Sequence, residues 1–210
     1  MRTFKQIKQL FAKAAKVSGR KTNNPVIIAM VGITGAGNST LARALKRELG
    51  WAVIEKNKIR VVLREKGPGF TPQNTDEIHY AMLGKILKAG GNAILDSDFA
   101  EKTKRRKLEK FVRRHKAQIL YLHLTCDMDV IFERMLRARY NPTTDIFASS
   151  AIAVREFARR LPWHYRWQES NGGEYHPRKF VIKFFAEVDT KRPAQWKKKI
   201  RAVSRHLKRF

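Results

Sequence analysis

Pro25-Val-Ile-Ile-Ala-Met-Val-Gly-Ile-Thr-Gly-Ala-Gly-Asn-Ser-Thr40 runs from an apolar segment through a glycine-rich turn into a helical pattern that opens around residues 38–41. Strand, loop and helix in that order are the setting of a phosphate-binding loop. Every fixed position of the pattern G-x-x-x-x-G-K-[ST] is present in residues 32–39 except the lysine, whose place Asn38 takes.

The loop's physics survives that exchange. Glycines let successive backbone N–H groups approach an anion closely, because no Cβ stands in the way. The helix that follows adds unpaired N–H donors and the positive end of its dipole. Gly32, Thr34, Gly35, Ala36, Gly37, Asn38, Ser39 and Thr40 are therefore the predicted phosphate contacts. Ser39 is also placed to hold a magnesium ion on the same phosphates. Asn38 donates a hydrogen bond but brings no charge, a loss of about 1.5–3 kcal/mol for one charge-assisted bond. Binding tolerates that loss better than rapid chemistry does.

Outward from the loop, the chain has 210 residues, 43% of them hydrophobic, enough for one sizeable core. Lone Cys126 excludes an internal disulfide framework and fits a reducing compartment. No apolar run is long enough to span a bilayer and no signal-peptide core is present, so the expectation is a soluble, cytoplasmic protein. Lys and Arg number 45 against 18 acidic residues, a formal net charge of +27. Such an excess favours polyanionic partners, RNA or DNA among them, and is equally the mark of solvated lysine-rich helix faces.

Residues 1–24 read as a basic amphipathic helix (Phe4, Ile7, Leu10, Phe11, Ala14 and Val17 on one stripe) and a linker from Ser18 to Asn24. Three uses of that helix fit the pattern: an arm for a membrane surface or polyanion, a transit peptide, or a helix packed on the domain. Residues 25–210 alternate apolar runs with helical ones. Strands are expected over 25–31, 51–55, 92–96, 117–125 and 179–188, and helices over 38–49, 58–65, 75–89, 101–115, 128–139, 149–161 and 193–208. This alternation predicts an α/β three-layer sandwich: a five-stranded, mainly parallel sheet with helices on both faces. Ligands of such sheets bind at the carboxyl ends of the strands.

Asp96 closes the third strand, where a carboxylate holds magnesium opposite the loop hydroxyl or merely caps a helix. The helix over 101–115 carries Lys102, Lys104, Arg105, Arg106, Lys107, Lys110, Arg113 and Arg114, as a phosphate-backbone surface or a solvated face. Trp163, His164, Tyr165, Arg166 and Trp167 form an aromatic and basic cluster suited to base stacking or to core packing.

The second strand ends Glu55-Lys56-Asn57-Lys58-Ile59-Arg60, and here the chain resembles the P-loop kinase group that includes polynucleotide kinases, zeta toxins and gluconate kinase-like enzymes. In that group the strand often ends Asp-x-x-Arg, the Asp taking the proton of the attacking hydroxyl and the Arg gripping the acceptor or a phosphate. Arg60 matches the arginine and Asn57 stands at the Asp position. An amide cannot take that proton, and Glu55, on the same side of an extended segment, is the candidate substitute. Asp96-Ser97-Asp98 is similar to the group's third-strand segment, and Leu120 to Arg139 to its fourth strand and the helix entering a lid (about 137–162). By that resemblance Arg137 or Arg139 supplies the arginine that stabilises the migrating phosphoryl charge, while Arg134 faces outward. Val188-Asp189-Thr190 is similar to the closing strand, beside the adenine. Lys56 or Lys58 is a candidate to reach the phosphates in place of the missing lysine.

The expected function is a Mg-ATP-dependent kinase acting on a hydroxyl of a polynucleotide end, a nucleoside or a small metabolite. The competing expectation is a nucleotide-binding module with impaired catalysis that binds nucleic acid through its basic faces.

Overall fold

The structure is a computed structural model that describes residues 1–17, 21–169 and 173–208. Its centre is β1 (Val26–Val31), buried along its whole length, as an unbroken apolar run in a two-faced sheet must be. Around it lie β2 (Ala52–Glu55), β3 (Ala93–Asp98), β4 (Gln118–Thr125) and β7 (Phe184–Asp189), in the order β2-β3-β1-β4-β7 with every pairing parallel. The chain leaves β1 toward one edge and later crosses to the other, so the switch point of the sheet falls at the carboxyl end of β1.

The two-residue period of β1 divides the core. Val26, Ile28 and Met30 face α2 (Asn38–Leu49), α6 (Met128–Arg137), α7 (Ser150–His164) and α8 (Pro193–Leu207), through Leu41, Leu45, Ile131, Phe157, Trp196 and Ile200. Ile27, Ala29 and Val31 face α1 (Phe4–Ala14), α3 (Lys56–Lys66), α4 (Pro72–Lys88) and α5 (Lys102–Arg114), through Ile7, Phe11, Ile59, Leu63, Leu83 and Leu108. These are the three layers the alternation of runs implied.

Several boundaries differ from the sequence reading. The first helix stops at Ala14, and its stripe is covered by the domain: Ile7 and Phe11 are buried, Arg2 N–H bonds the Lys66 carbonyl at 2.7 Å, and Lys85 Nζ bonds the Ala12 carbonyl at 2.6 Å. Residues 18–20 of the expected linker lie outside the described residues. α3 begins at Lys56 directly after β2, two residues earlier than its periodicity suggested. The expected strand over 179–188 contracts to Phe184–Asp189. Ahead of it a hairpin, β5 (Tyr165–Gln168) with β6 (Glu174–Pro177), was not anticipated. Four-residue strands with exposed side chains are too short for a two-residue period to stand out from the helical pattern of α7.

Candidate active site

Residues 32–39 turn sharply between β1 and α2. Gly35 and Gly37 take φ of +85° and +96°, a region costly to any side chain. Gly32 is required by proximity: a Cβ there would lie 2.5 Å from Asn38 Oδ1 and 2.8 Å from Leu124 Cβ. α2 starts at Gly37 without a side-chain cap and without an acidic residue in its first turn, which leaves its leading N–H groups available to an anion. Thr190, just after β7, braces the loop from behind, its Oγ1 donating to the Ala36 carbonyl at 2.7 Å.

The loop floors a cavity of about 470 Å³ at the carboxyl ends of the strands. Thr34, Gly35, Gly37, Asn38, Ser39 and Thr40 line it, whereas Gly32 and Ala36 are buried beneath. Asn38 folds back on its own loop. Its Nδ2 donates to the Gly32 carbonyl at 2.7 Å, and its buried Oδ1 has no hydrogen-bond partner among the described residues. The amide thus closes the loop internally, where a lysine would extend toward the phosphates.

Ser39 hydrogen-bonds Asp96, whose carboxyl is pushed above its usual range by burial and, to a smaller degree, by Glu55 beside it, against the pull of the Ser39 bond. A hydroxyl and a carboxylate next to a phosphate cradle are the hard oxygen donors magnesium takes when phosphates and water complete its shell. No group of three or more His, Cys, Asp or Glu among the described residues forms an all-protein metal site.

The cavity has two sides. On the β4 and β7 side stand Arg134, Thr190, Pro193 and Trp196. Arg134 points inward, contrary to its expected outward orientation: its Nη2 donates to the Thr190 carbonyl at 2.5 Å. On the β2 and β3 side stand Lys56, Asn57, Arg60, Asp98, Lys104 and Arg160. Arg60 Nη1 donates to Asn57 Oδ1 at 3.3 Å, and burial, then the nearby charge of Arg160, hold its guanidinium below the usual range. Lys56 Nζ pairs with Asp76 at 2.5 Å, yet burial still lowers its ammonium.

Four expected residues, Glu55, Lys58, Arg137 and Arg139, are not brought to this cavity. Because the helix starts at Lys56, Glu55 and Asn57 do not share an extended segment, and Glu55 lines a neighbouring hollow with Lys58 and Arg139. Arg139 is exposed there, while Arg137 pairs with Glu133 at 2.8 Å with its side chain 81% exposed. One helical turn earlier, at Arg134, the helix face meets the loop.

Two sets of contacts escaped the sequence reading, although it had named their residues. Asp98 is buried and accepts from Ala100 N at 3.0 Å, while its Oδ2 lies 2.9 Å from His164 Nε2 and 3.8 Å from Arg160 Nη1. Burial raises its carboxyl, but His164 and Arg160 outweigh that and leave it below the usual range. The pair ties α7 to β3, and no local spacing announces a contact 66 residues apart. Arg105, expected on a basic surface, is instead buried and bonds the Phe99 carbonyl at 2.9 Å. Trp163 lies under Lys104 Nζ, 4.8 Å from the ring centroid, and Trp167 and Tyr175 are exposed edge to face on the hairpin.

A parallel sheet in this order, with a glycine loop after its central strand opening a helix, is the kinase-like P-loop fold. The chain belongs to the AAA domain family, which matches residues 27–162. In structure it is similar to a proposed kinase from Chloroflexus aurantiacus, at 18% identity over 90% of this chain and 98% of that one with a TM-score of 0.62. It is also similar to a gluconokinase from Sinorhizobium meliloti, at 17% identity over 90% and 95% with a TM-score of 0.52. The Mycobacterium tuberculosis APS kinase, solved with AMPPNP and APS, aligns at 12% identity over 89% and 96% with a TM-score of 0.53. At these identities the likeness speaks for the fold alone. The chain matches no curated protein, and no described helix is long and apolar enough to cross a membrane.

Proposed function

We propose that the protein is a kinase that transfers the γ-phosphoryl group of ATP to a hydroxyl acceptor. The observation that carries this reading is the convergence, in one cavity, of the uncapped start of α2, the Ser39–Asp96 pair and cations from three other helices, Lys56 and Arg60, Arg134, and Arg160. Phosphoryl transfer passes through a loose transition state, so positioning and charge do most of the catalysis. The loop amides hold the phosphates. Ser39 and Asp96 would hold magnesium, which would supply positive charge to offset that of the phosphates. Arg134, fixed by the Thr190 carbonyl, and Arg160, on the helix over the cavity, take the charge-stabilising role that the sequence assigned to Arg137 or Arg139. The nucleotide base lies toward Pro193 and Trp196 and the acceptor toward Asn57 and Arg60, in the two directions the sheet order leaves open. Residues 137–162 act as the lid.

A second reading, a nucleotide-binding module with impaired catalysis and affinity for RNA or DNA, is favoured by one observation: Asn38 is bonded into its own loop. Transfer from labelled Mg-ATP to a panel of hydroxyl acceptors separates the two, run beside Asn38→Lys. The kinase reading expects turnover in the natural protein, rising about ten- to a hundredfold in the variant, as one charge-assisted bond allows. Turnover in the variant alone establishes the second reading. Nucleotide binding in neither protein overturns both.

A further inference from the structure

α2 and α8 pack side by side over one face of the sheet, and their outer sides are exposed. On α2 that side carries Lys46 and Arg47. On α8, Lys197, Arg201 and Arg205 recur at four-residue steps with Lys198 beside them, all four exposed. Their period is that of the buried stripe, Trp196, Ile200, Val203 and Leu207, so they too share one flank of the helix. His206, on the other flank, packs on Phe185 of the edge strand β7, with ring centroids 5.5 Å apart. The basic flank is thereby turned toward α2.

Little answers this charge within the chain. Glu48, half-buried, is the only acidic residue on either helix. Among the described residues none of the six cations forms an ion pair. Arg43, nearer the cavity, has the Asp96 carboxylate within reach of its charge and does not add to the surplus. The opposite layer is built differently: Lys8 pairs with Glu77, Lys56 and Lys107 with Asp76, and α5 sets Glu101 and Glu109 among its cations. Like charges four residues apart, as at Lys197, Arg201 and Arg205, weaken a helix unless an anion comes between them.

The rest of the face narrows the choice of anion. None of the large exposed apolar side chains among the described residues lies on α2 or α8. The face therefore offers no ring on which an unpaired base stacks and no apolar wedge for a lipid bilayer. What it offers is a regular array of charge on two helices about 18 and 22 Å long. A nucleic-acid duplex presents roughly one phosphate charge per 1.7 Å of its axis, so several fall within that length. We propose that the outer face of α2 and α8 binds the phosphate backbone of a nucleic-acid duplex. Contacts of this kind position the duplex without reading its sequence. The surface lies outside the nucleotide cavity and stands under either reading of it.

Titration of the full chain into a labelled DNA duplex of about 20 base pairs, between roughly 50 and 200 mM salt, tests the proposal. Binding is expected to be saturable, alike for unrelated sequences, and to fall with salt with a log–log slope of about −4 to −5. The triple variant Lys198→Gln, Arg201→Gln, Arg205→Gln is expected to bind roughly tenfold or more weakly, its slope flatter by about 2–3. A charge-matched triple on α5, Arg106→Gln, Lys110→Gln, Arg113→Gln, removes equally exposed cations and is expected to cost less than about threefold. None of the six substitutions breaks an ion pair among the described residues, and melting curves confirm that both variants fold. Equal losses in the two triples reduce the binding to the chain's net charge of +27 and overturn the proposal. So does tighter binding of a single strand of the same length, or capture by phosphatidylserine vesicles in place of the duplex. Mg-AMPPNP affinity is expected to be unchanged in both variants. Failure of the natural protein to bind Mg-AMPPNP overturns the reading of the cavity and leaves this surface standing.

Discussion

On the β4 and β7 side of the cavity the polar contacts run to neutral groups: Thr190 to the Ala36 carbonyl, Asn38 to the Gly32 carbonyl, Arg134 to the Thr190 carbonyl. On the β2 and β3 side they run to carboxylates: Lys56 to Asp76, Arg160 to Glu156, His164 to Asp98. The first side shapes a cradle whose donors are main-chain amides, and it depends little on protonation. The second side holds α3, α5 and α7 around a space by ion pairs, so its geometry depends on pH and on which anions are present. The two asparagines follow this division. Asn38 is absorbed into the cradle, and Asn57 accepts a hydrogen bond from Arg60 without bringing a charge to it.

The contrast is tested hardest at Asp98. Asp98→Ala leaves His164 buried without its partner and two backbone N–H groups, of Ala100 and Gly32, without an acceptor. Breaking a buried pair costs about 3–5 kcal/mol, which for a chain of this size lowers the melting temperature by roughly 6–20 °C. Thr190→Val, on the neutral side, removes one hydroxyl bonded to the Ala36 carbonyl and should cost about 1 kcal/mol, roughly 2–4 °C. If the two variants melt alike, the division between the sides is false.

Acid sharpens it further. Burial raises the Glu156 carboxyl, but Arg159 and Arg160 outweigh that and bring it down to about 2. A folded-state value depressed from the ordinary 4.5 of a glutamate contributes stability that is complete above that pH and is lost as the pH falls toward 2. Asp98 is lowered too and acts in the same direction. Thermal melts between pH 6 and 2.5 should therefore show a steeper acid loss in the natural protein than in Glu156→Gln, and equal slopes would remove the charged side from the account. The smallest effect belongs to a pair outside the cavity. Lys8 and Glu77 lie 2.5 Å apart but are both largely in water, so Lys8→Ala should change stability by less than about 1 kcal/mol in chemical denaturation.

Much of this architecture could be read before folding was considered. The apolar run of β1, the glycines of the loop and the helical periods of α2, α4, α5 and α8 are local patterns, and each gave its element and an approximate extent. Ser39 and Asp96 were legible as lining residues for the same reason, Ser39 ending the glycine pattern and Asp96 ending an apolar run. Of the cavity's arginines, Arg60 was singled out by its spacing after β2, whereas Arg134 and Arg160 were not. Arg134 and Arg137 share a helix and a residue type, and only the packing of α6 against the loop distinguishes the one that faces inward. Arg160 comes from another element with nothing beside it to mark it, and Lys104 and His164 were read as members of a basic helix and an aromatic cluster rather than as neighbours of the cavity.

The chain by itself determined the sheet, the glycine turn and the surplus of positive charge, because periodicity, backbone freedom and composition are properties of neighbouring residues. The tertiary structure alone decided where that charge collects, which of two arginines a turn apart meets the loop, and that Asn38 bonds inward. Those outcomes depend on distances between residues far apart in sequence, which are set only when the helices close over the two faces of the sheet.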